Sequence, residues 1–512
     1  MSKIKALGGK LFDRFLNSIE KVGNALPHPA TLFAIFAIMV LIFSAIAHAF
    51  DWSAIHPGSH ENIDPVNLLS VDGLHRILTE MVTNFTGFAP LGIVMVAMLG
   101  IGIAESSGLI GAFIRLVVLS SPKKILTFVL VLAGIMSNVA SDVGYVLLIP
   151  LGGIIFIAVG RHPIIGIAAT FAGVAGGFSA NLVLGTLDPL LAGLSTEAAR
   201  IIDPAYEVNP TANYFFMVAS TILIAFTGTW VTEKLIAPRF GKYEGPESKD
   251  ELTGLSKLEK KGLRNAVIVL LVIIAISLIG ILPSNGFFRG SDGSVLSSPL
   301  IKGVVAMLFI TAGAMGIVYG FTIKKYKSDA DVMYGMGEAM KTLGLYYVLV
   351  FFAAQFVAYF KWSNLGIILA IKGADFVMST GLGMIPLMIL FIILSGMINM
   401  VMGSSSAKWA IMAPVFIPMF MLLGYSPELS QVVYRIGDSV TNVISPMMSF
   451  FALIIAFVQK YDKNAGIGTI VATMMPYSIV FFIAWTILLI IWLQFGLPLG
   501  PGAGIYYEAV IP

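Results

Sequence analysis

The stretch SPKKILTFVLVLAGIMSNVASDVGYVLLIPLGGIIFIAVGRHP, residues 121–163, decides the fold. It begins with Lys123 and Lys124, ends near Arg161, and is almost wholly apolar between them. Lys and Arg collect on the cytoplasmic side of membrane proteins, so both ends are expected on the same face. A single spanning helix would place them on opposite faces. The sequence therefore predicts that residues 122–160 enter and leave the membrane as a re-entrant hairpin, named hairpin 1.

The composition of the 512-residue chain is that of an integral membrane protein. Hydrophobic residues make up 57% of it and charged residues only 12%, about half the charged share of a soluble domain. A formal net charge of +3 argues against a nucleic-acid binder, which needs a basic surface. The chain has no Cys, which excludes disulfides and thiolate metal sites, and its six His include no HExxH pair. No cofactor is expected.

Apolar stretches of about 20 residues predict membrane-spanning helices. Seven regular stretches are 29–50, 84–117, 212–236, 265–282, 300–323, 342–360 and 466–495. Three longer regions contain polar clusters, Gly and Pro within apolar sequence, at 122–160, 164–194 and 383–459.

The distribution of basic residues sets the orientation. Connections assigned to the cytoplasm carry 21 Lys and Arg, and the other connections carry six. The cytoplasmic set includes the loop 238–264 and the basic, amphipathic segment 1–27, which lacks the features of a signal peptide. Each basic connection lies on the cytoplasmic face only if residues 383–424 do not cross the membrane. They are therefore predicted to form a second hairpin, hairpin 2, which enters from the opposite face. The expected protein has its N-terminus in the cytoplasm and its C-terminus outside.

The two hairpins resemble each other. Pro150 and Pro163 are 13 residues apart, as are Pro414 and Pro427, and each hairpin is followed by a span broken by polar residues. Matched halves with opposite entry faces are typical of inverted-repeat secondary transporters. Chance similarity between Ser/Gly-rich stretches is the alternative. We predict an all-α integral membrane protein with nine transmembrane helices plus two opposed re-entrant hairpins in an inverted repeat.

The hairpins and their broken spans divide the chain into scaffold segments and transport segments. The transport segments are expected to move across the membrane. The predicted segments are the cytoplasmic N-terminus 1–27, scaffold helices 28–120, transport repeat 1 at 121–211, scaffold helices 212–360, transport repeat 2 at 361–460, and the last span with the C-terminus at 461–512.

Small polar residues cluster at the expected hairpin tips and in the broken spans. They are Asn138, Ser141 and Asp142 in the first tip, Asn399, Ser404, Ser405 and Ser406 in the second, and Asn181 and Asn442 in the broken spans. Half-helix N-termini bind anions, while unwound carbonyls and side-chain oxygens bind Na⁺. Sodium is therefore expected at Asn138, Ser141, Asn399 and Ser404. Close helix packing through small residues is the alternative.

Ionisable residues at membrane depth are costly and so indicate function. Arg435 and Asp438 are three residues apart, which permits a local ion pair; alternatively Arg435 meets a substrate carboxylate, or changes partner when Asp438 binds a proton or cation. Asp188 is the counterpart in the first repeat, or it caps the following half-helix. Lys408 is expected to pair with an anionic substrate or to extend to the outer face. Trp409 is expected to stack on an aromatic substrate or to pack at an interface.

These residues lie within longer motifs. The motifs are NFTGFAPLG at 84–92, SDVGYVLLIPLGG at 141–153, FSAN at 178–181, DPLLAG at 188–193, GSSSAKWAIMAPVFIPMF at 403–420 and YRIGDSVTN at 434–442. Together they resemble the p-aminobenzoyl-glutamate transporter (AbgT) family, from about residue 27 to residue 502. The resemblance implies a homodimer with nine spans and two opposed hairpins per protomer. It places the family's site on Asp188, Asn399, Ser406, Trp409, Pro427, Arg435, Asp438 and Pro446.

The function expected from this resemblance is secondary active transport in a lipid membrane. The substrate would be p-aminobenzoyl-glutamate, and some members of the family look like exporters of sulfonamide antimetabolites. The chain has no GxxxxGK[ST] motif for ATP, so a proton or sodium gradient is the expected energy source. Ion-coupled transport of another carboxylate is the nearest alternative. A channel has less support, since the polar residues cluster at mid-membrane, and no residue constellation favours an intramembrane enzyme.

Overall fold

The chain is built almost wholly of helices, and a computed structural model describes residues 27–55, 60–139, 144–241, 243, 254–295 and 297–507. The first ten helices are α1 Pro29–Ala49, α2 Val71–Thr86, α3 Ala89–Ser107, α4 Leu109–Leu119, α5 Leu126–Ser137, α6 Ile149–Ala158, α7 Pro163–Phe171, α8 Leu187–Ala199, α9 Tyr214–Val231 and α10 Lys257–Ile281. The second ten are α11 Pro299–Lys302, α12 Val304–Thr322, α13 Asp329–Thr342, α14 Gly344–Trp362, α15 Leu365–Ser379, α16 Met384–Val401, α17 Ser405–Leu422, α18 Pro427–Asn442, α19 Phe451–Gln459 and α20 Ile467–Gln494.

Short elements complete the chain. Single helical turns lie at Lys123–Ile125, Gly144–Leu148, Ala172–Gly176, Thr232–Ile236 and Ala237–Arg239. Strands β1 Ala54–Ile55 and β2 Asn62–Ile63 form one antiparallel pair. The predicted N-terminal segment 1–27 lies, except for Pro27, outside the described residues.

Nine helical stretches within the described ranges are long and apolar enough to cross a membrane. Seven overlap the regular spans predicted from sequence, and the other two are α16 and α17, the arms of hairpin 2. The two broken spans fall below this length because residues 177–186 separate α7 from α8, and residues 443–450 separate α18 from α19. The all-α membrane fold is confirmed. The inverted relationship between its halves stays a prediction.

Hairpin 1 returns to the face from which it starts. Thr127 in the first turn of α5 and Arg161 just before α7 both bind Glu233, at 2.5 and 2.8 Å. At the other end Asn138, which follows α5 directly, donates from Nδ2 to the carbonyl of Val174, 3.0 Å away. Helices α5 and α7 therefore run parallel, and α6 must bring the chain back to where α5 began. This is the path that the basic residues predicted for residues 122–160.

Hairpin 2 has the same local arrangement. Ser395 donates to the carbonyl of Tyr434 at 3.0 Å, and Asn399 donates to that of Asp438 at 2.9 Å. Between these two bonds both partners move by the same number of residues towards the C-terminus, so α16 runs parallel to α18. Because only residues 423–426 join α17 to α18, α17 ends near the level at which α16 begins. In both hairpins the first arm thus runs parallel to the broken span that follows.

One predicted span has different bounds in the structure. The span predicted at 84–117 belongs to an apolar stretch that runs from Val71 to Ser107. Gly108 ends it, because its left-handed φ of 89° stops α3 and starts the separate helix α4. Between α4 and the segment Lys123–Ser137 the chain bends by 110°.

Connections between the predicted spans contain helix that sequence analysis did not predict, and two examples show why. Helix α10 begins at Lys257 rather than at residue 265, because Ser256 and Glu259 form a capping box. The last turns of the predicted loop 238–264 are therefore helical. Helix α15 fills most of the stretch between the predicted span 342–360 and the start of hairpin 2 at residue 383.

Single-cysteine variants test the hairpins directly, because the chain has no Cys. Lys124→Cys and Ala158→Cys flank hairpin 1, and Ser379→Cys and Leu423→Cys flank hairpin 2. We expect a membrane-impermeant maleimide to label the first pair from the cytoplasmic face only, and the second pair from the opposite face only. Oriented vesicles of both polarities provide the measurement, with the unsubstituted protein as control. Labelling of the two members of one pair from opposite faces would contradict the re-entrant path.

Candidate functional site

Both hairpin tips and both broken spans meet around one cavity of about 380 Å³. Asn138 and Tyr145 line it from hairpin 1, Gly403 and Ser405 from hairpin 2, Phe178, Thr186, Leu187 and Leu190 from the first broken span, and Asn442, Met448, Ser449 and Phe450 from the second. Val94, Met98 and Glu105 of α3, together with Leu343 and Tyr346, close the remaining side. The volume falls in the range of about 300–1,000 Å³ that is usual for small-molecule sites.

Arg435 binds Asp188, not Asp438. Its Nη2 lies 2.6 Å from Asp188 Oδ1, and both side chains are buried. The other oxygen of Asp188 accepts from the backbone N–H of Gly185 at 2.7 Å. The local pair suggested by the Arg435–Asp438 spacing does not form, because a carboxylate from the other broken span lies closer to the guanidinium. Asp188 lies inside the first turn of α8 and does not cap it, because the N–H that it accepts from precedes the helix. Its role as the counterpart in the first repeat stays a prediction.

Lys408 is wholly buried, with 0% of its side chain exposed, and is bound to Asp438, whose side chain is also 0% exposed. Its ammonium also contacts Asn399 Oδ1. Extension of Lys408 to the outer face was therefore a wrong expectation. An anionic substrate cannot reach the ammonium in this conformation either, since protein oxygens surround it. Lys408 lies in the first turn of α17, where the buried face of the helix points at α18.

Asn399 connects hairpin 2 to its broken span. Its Nδ2 lies 2.9 Å from the Asp438 carbonyl, 2.8 Å from Thr441 Oγ1 and 2.8 Å from Asn442 Oδ1. The backbone carbonyl of Asn399 accepts from Ser445 Oγ at 2.9 Å. The unwound backbone of the tip and of the break is thus satisfied by side chains, as a non-helical segment at membrane depth requires.

Trp409 is packed inside the protein. Its ring stacks on Tyr434 with centroids 4.5 Å apart, and its Nε1 donates to Ser195 Oγ at 3.0 Å. With 0% of the residue exposed, no face of the ring is open to a substrate in this conformation. Of the two roles considered for Trp409, the packing role matches the observed contacts.

The serines of the second tip shape the start of α17. Ser404 is the N-cap and accepts from the backbone of Ala407 at 3.4 Å. Ser405 lines the cavity and its Oγ lies 3.2 Å from the Tyr434 hydroxyl. Ser406 Oγ lies 3.5 Å from Ser404 Oγ. The N-terminus of an 18-residue helix therefore points at the cavity, an arrangement that favours anions.

The other predicted residues have separate positions. Pro427 is the first residue of α18, and Pro446 lies in the break between α18 and α19. Asn181 is buried and accepts from the backbone of Leu182 at 2.9 Å. Ser141 and Asp142 lie outside the described residues. The sodium sites stay a prediction; within the described ranges Asn138 Oδ1 has no hydrogen-bond partner.

Sequence analysis missed Glu105 and the aromatic wall of the cavity. Tyr145 and Phe450 stack at 4.5 Å with their planes 12° apart, and Phe178 and Tyr346 lie on other sides. Tyr145 had a usable signal, because it lies five residues before Pro150. Nothing in the spacing of the other three distinguished them from the aromatic residues that are frequent in membrane helices. Glu105 had a usable signal, since it is an acidic residue inside an apolar stretch.

A buried polar centre between re-entrant hairpins and broken spans defines a multi-pass membrane transport protein. Comparison with known proteins agrees: a profile described as the AbgT putative transporter family matches residues 14–507. The chain belongs to this family.

Relatives along the whole chain are transport proteins. The chain is 38% identical to the p-aminobenzoyl-glutamate transport protein of Escherichia coli (strain K12), over 94% of this chain and 95% of that protein. It is similar to Neisseria gonorrhoeae MtrF, described among antimetabolite efflux pumps, with a TM-score of 0.91 and 50% identity over 96% of this chain and 100% of that one. It is also similar to the Alcanivorax borkumensis YdaH transporter, with a TM-score of 0.89 and 45% identity over 93% and 100%. The protein is a transporter and not an enzyme.

The Arg435–Asp188 pair is expected to show strong energetic coupling. Arg435→Met leaves a buried carboxylate without a partner and should lower the free energy of unfolding by about 3–5 kcal/mol. Arg435→Met combined with Asp188→Leu should recover most of this loss, because no charge is then left unpaired. Unfolding in detergent micelles, followed by circular dichroism, provides the measurement.

A matched control is the half-exposed pair Arg161–Glu233. Arg161→Met should cost only about 1 kcal/mol, since solvent screens an exposed pair. If the Arg435→Met, Asp188→Leu double variant were as unstable as the sum of its single variants, the two residues would not be coupled.

Proposed function

We propose that the protein is a secondary active transporter that moves p-aminobenzoyl-glutamate, exports sulfonamide-type antimetabolites, or does both, across the bacterial inner membrane. A proton or sodium gradient would drive it. The observation that carries this proposal is the cavity between the two hairpin tips, which has the size of a small-molecule site and aromatic walls. The named activities of the E. coli and N. gonorrhoeae relatives support it.

The aromatic end of such substrates suits the cavity. p-Aminobenzoyl-glutamate and sulfonamides share a flat aminophenyl ring with N–H donors. Tyr145, Phe178, Tyr346 and Phe450 offer ring faces and edges to such a group. Glu105 carries the one charged side chain among the described residues that line the cavity, and its carboxylate accepts hydrogen bonds only. We therefore assign the arylamine to the Glu105 end.

The carboxylate end is assigned to the start of α17. Gly403 and Ser405 line the cavity there, and the first N–H groups of a helix attract anions. Arg435 and Lys408 are both buried and already bound to aspartates. Lys408 would first have to open its ion pair to bind a substrate carboxylate. Arg435 uses only Nη2 for Asp188, and its buried Nε and Nη1 have no hydrogen-bond partner within the described residues.

The remaining features of the proposal come from the family resemblance and the distribution of charge. The protein forms a homodimer with the N-terminus in the cytoplasm, and segments 121–211 and 361–460 move against the remaining helices. Apolar side chains exposed along α10, such as Leu271 and Ile279, suit contact with lipid.

Transport by purified protein in proteoliposomes tests the function. We expect uptake of labelled p-aminobenzoyl-glutamate above that of protein-free vesicles, and competition by an unlabelled sulfonamide. Proton and sodium gradients are imposed one at a time, with Asp438→Ala as the variant expected to be inactive while still folded. Currents far above carrier rates would favour a channel instead. Transport of an unrelated dicarboxylate with no response to arylamines would favour the alternative substrate class.

Glu105→Gln tests the orientation of the substrate. Loss of a charge-assisted hydrogen bond of about 1.5–3 kcal/mol should weaken p-aminobenzoyl-glutamate binding by roughly 10- to 100-fold. Benzoyl-glutamate, which lacks the amine, should bind the wild type and Glu105→Gln equally well. Competition binding to detergent-solubilised protein provides the measurement, and Glu338→Gln on the exposed face of α13 is the control. Equal loss for both ligands would contradict the assignment.

A further inference from the structure

A buried lysine lies at the centre of hairpin 2. Lys408 is in the first turn of α17, yet its ammonium contacts two oxygens from other helices, Asn399 Oδ1 of α16 and Asp438 Oδ1 of α18. All three residues are 0% exposed. The ammonium therefore joins the two arms of the hairpin to the broken span that follows.

The two oxygens are a side-chain amide carbonyl and a carboxylate, and both lie near the C-terminal ends of helices, α16 and α18, where transporters bind Na⁺. A sodium ion at this place would lie against the ammonium, and two positive charges at contact distance in an apolar interior repel strongly. Na⁺ and the charged Lys408 are therefore mutually exclusive here.

We propose that Lys408 is the resident counter-cation of Asp438, occupying by its ammonium the place that Na⁺ would take, so that a proton is the ion exchanged at this centre. The proposal rests on the ion-driven transport function stated above. It deepens that function, because it distinguishes between the two coupling ions.

Asp438 has an oxygen available for the proton. Its Oδ2 is buried and lacks a hydrogen-bond partner within the described residues, while Oδ1 is held by Lys408. A proton delivered by water would bond to Oδ2 and give a neutral carboxyl group, whose Oδ1 still accepts from the ammonium of Lys408. The other ionisable groups nearby are Tyr434 and Arg435 on the same helix, and Arg435 is bound to Asp188 of α8.

One side chain connects this centre to the cavity. Asn399 accepts from Lys408 through Oδ1 and donates through Nδ2 to Asn442 Oδ1 at 2.8 Å. Asn442 lines the cavity. A substrate that changes the hydrogen bonds of Asn442 therefore acts, through Asn399, on the partner of Lys408.

Binding of ²²Na⁺ to the purified full-length protein tests the proposal without relying on transport. The variants are Lys408→Met, which removes the charge at similar volume, Lys408→Arg, which keeps it, and Lys408→Met with Asp438→Asn, which removes both charges. Thermal unfolding in NaCl and in choline chloride at equal ionic strength provides a second measurement.

We expect no saturable Na⁺ binding that depends on Asp438 in the wild type or in Lys408→Arg. Lys408→Met should bind Na⁺ at least about tenfold more tightly and should unfold at a higher temperature in NaCl than in choline chloride. The double variant should lose both effects. In proteoliposomes, a pH gradient alone should drive the wild type, and a Na⁺ gradient alone should not.

Saturable Na⁺ binding to the wild type that is abolished by Asp438→Asn would overturn the proposal. This measurement does not need Lys408→Met and can be made even if that variant fails to fold. Lys408→Met that folds but shows no gain in Na⁺ binding would also overturn it. Failure of the transport function itself would appear differently, as absence of substrate exchange in the wild type under any gradient.

Discussion

A charge buried in the apolar interior of a membrane protein must have a partner, and the rest of this structure depends on that constraint. Arg435 and Asp188 belong to different broken spans, so their bond fixes the two halves of the polar centre to each other. Lys408 and Asp438 fix hairpin 2 to the span that follows it. Each ion pair joins two different helices. A shift of either helix in a pair therefore also acts on the other helix.

The same constraint applies to the backbone and explains why the breaks can exist. Residues 177–186 and 443–450 leave the helical pattern, which frees N–H and C=O groups inside the protein. Side chains compensate, as where Asn138 donates to the Val174 carbonyl and Ser445 donates to that of Asn399. The breaks leave space between helices, and the cavity occupies this space. The site is thus a consequence of how the interrupted backbone is satisfied.

The sequence predicted the path of the chain better than the partners of its charges. Lys124 and Arg161 were enough to predict hairpin 1, because the sidedness of basic residues is a property of single positions. The spacing of Arg435 and Asp438 suggested a local pair, whereas the partner of Arg435 is 247 positions away. Such a partner depends on tertiary packing, which spacing along one helix does not contain.

Other misses have equally specific causes. Glu105 satisfied the same criterion as the other intramembrane ionisable residues, but it lay in a stretch otherwise typical of a plain span. Helix α15 has 15 residues, too few to cross a membrane, so a search for spans assigned it to a connection. Extension to the outer face was one of two roles considered for Lys408, because long basic side chains usually reach water.

The positions of the charges also bear on how the proposed transport segments would move. Asp188, Lys408, Arg435 and Asp438 all lie within 121–211 and 361–460, whereas Glu105 lies on the opposite wall of the cavity. A movement of these segments as a unit breaks neither ion pair, and so avoids a cost of about 3–5 kcal/mol for each pair. What must slide includes close contact of small residues, such as Gly193 of α8 against Pro90 of α3. With both pairs intact the moving part is neutral at its centre, and a proton on Asp438 adds one positive charge. In the proposed proton-driven cycle, the protonation state of this carboxyl group would therefore change the cost of carrying the centre across the membrane.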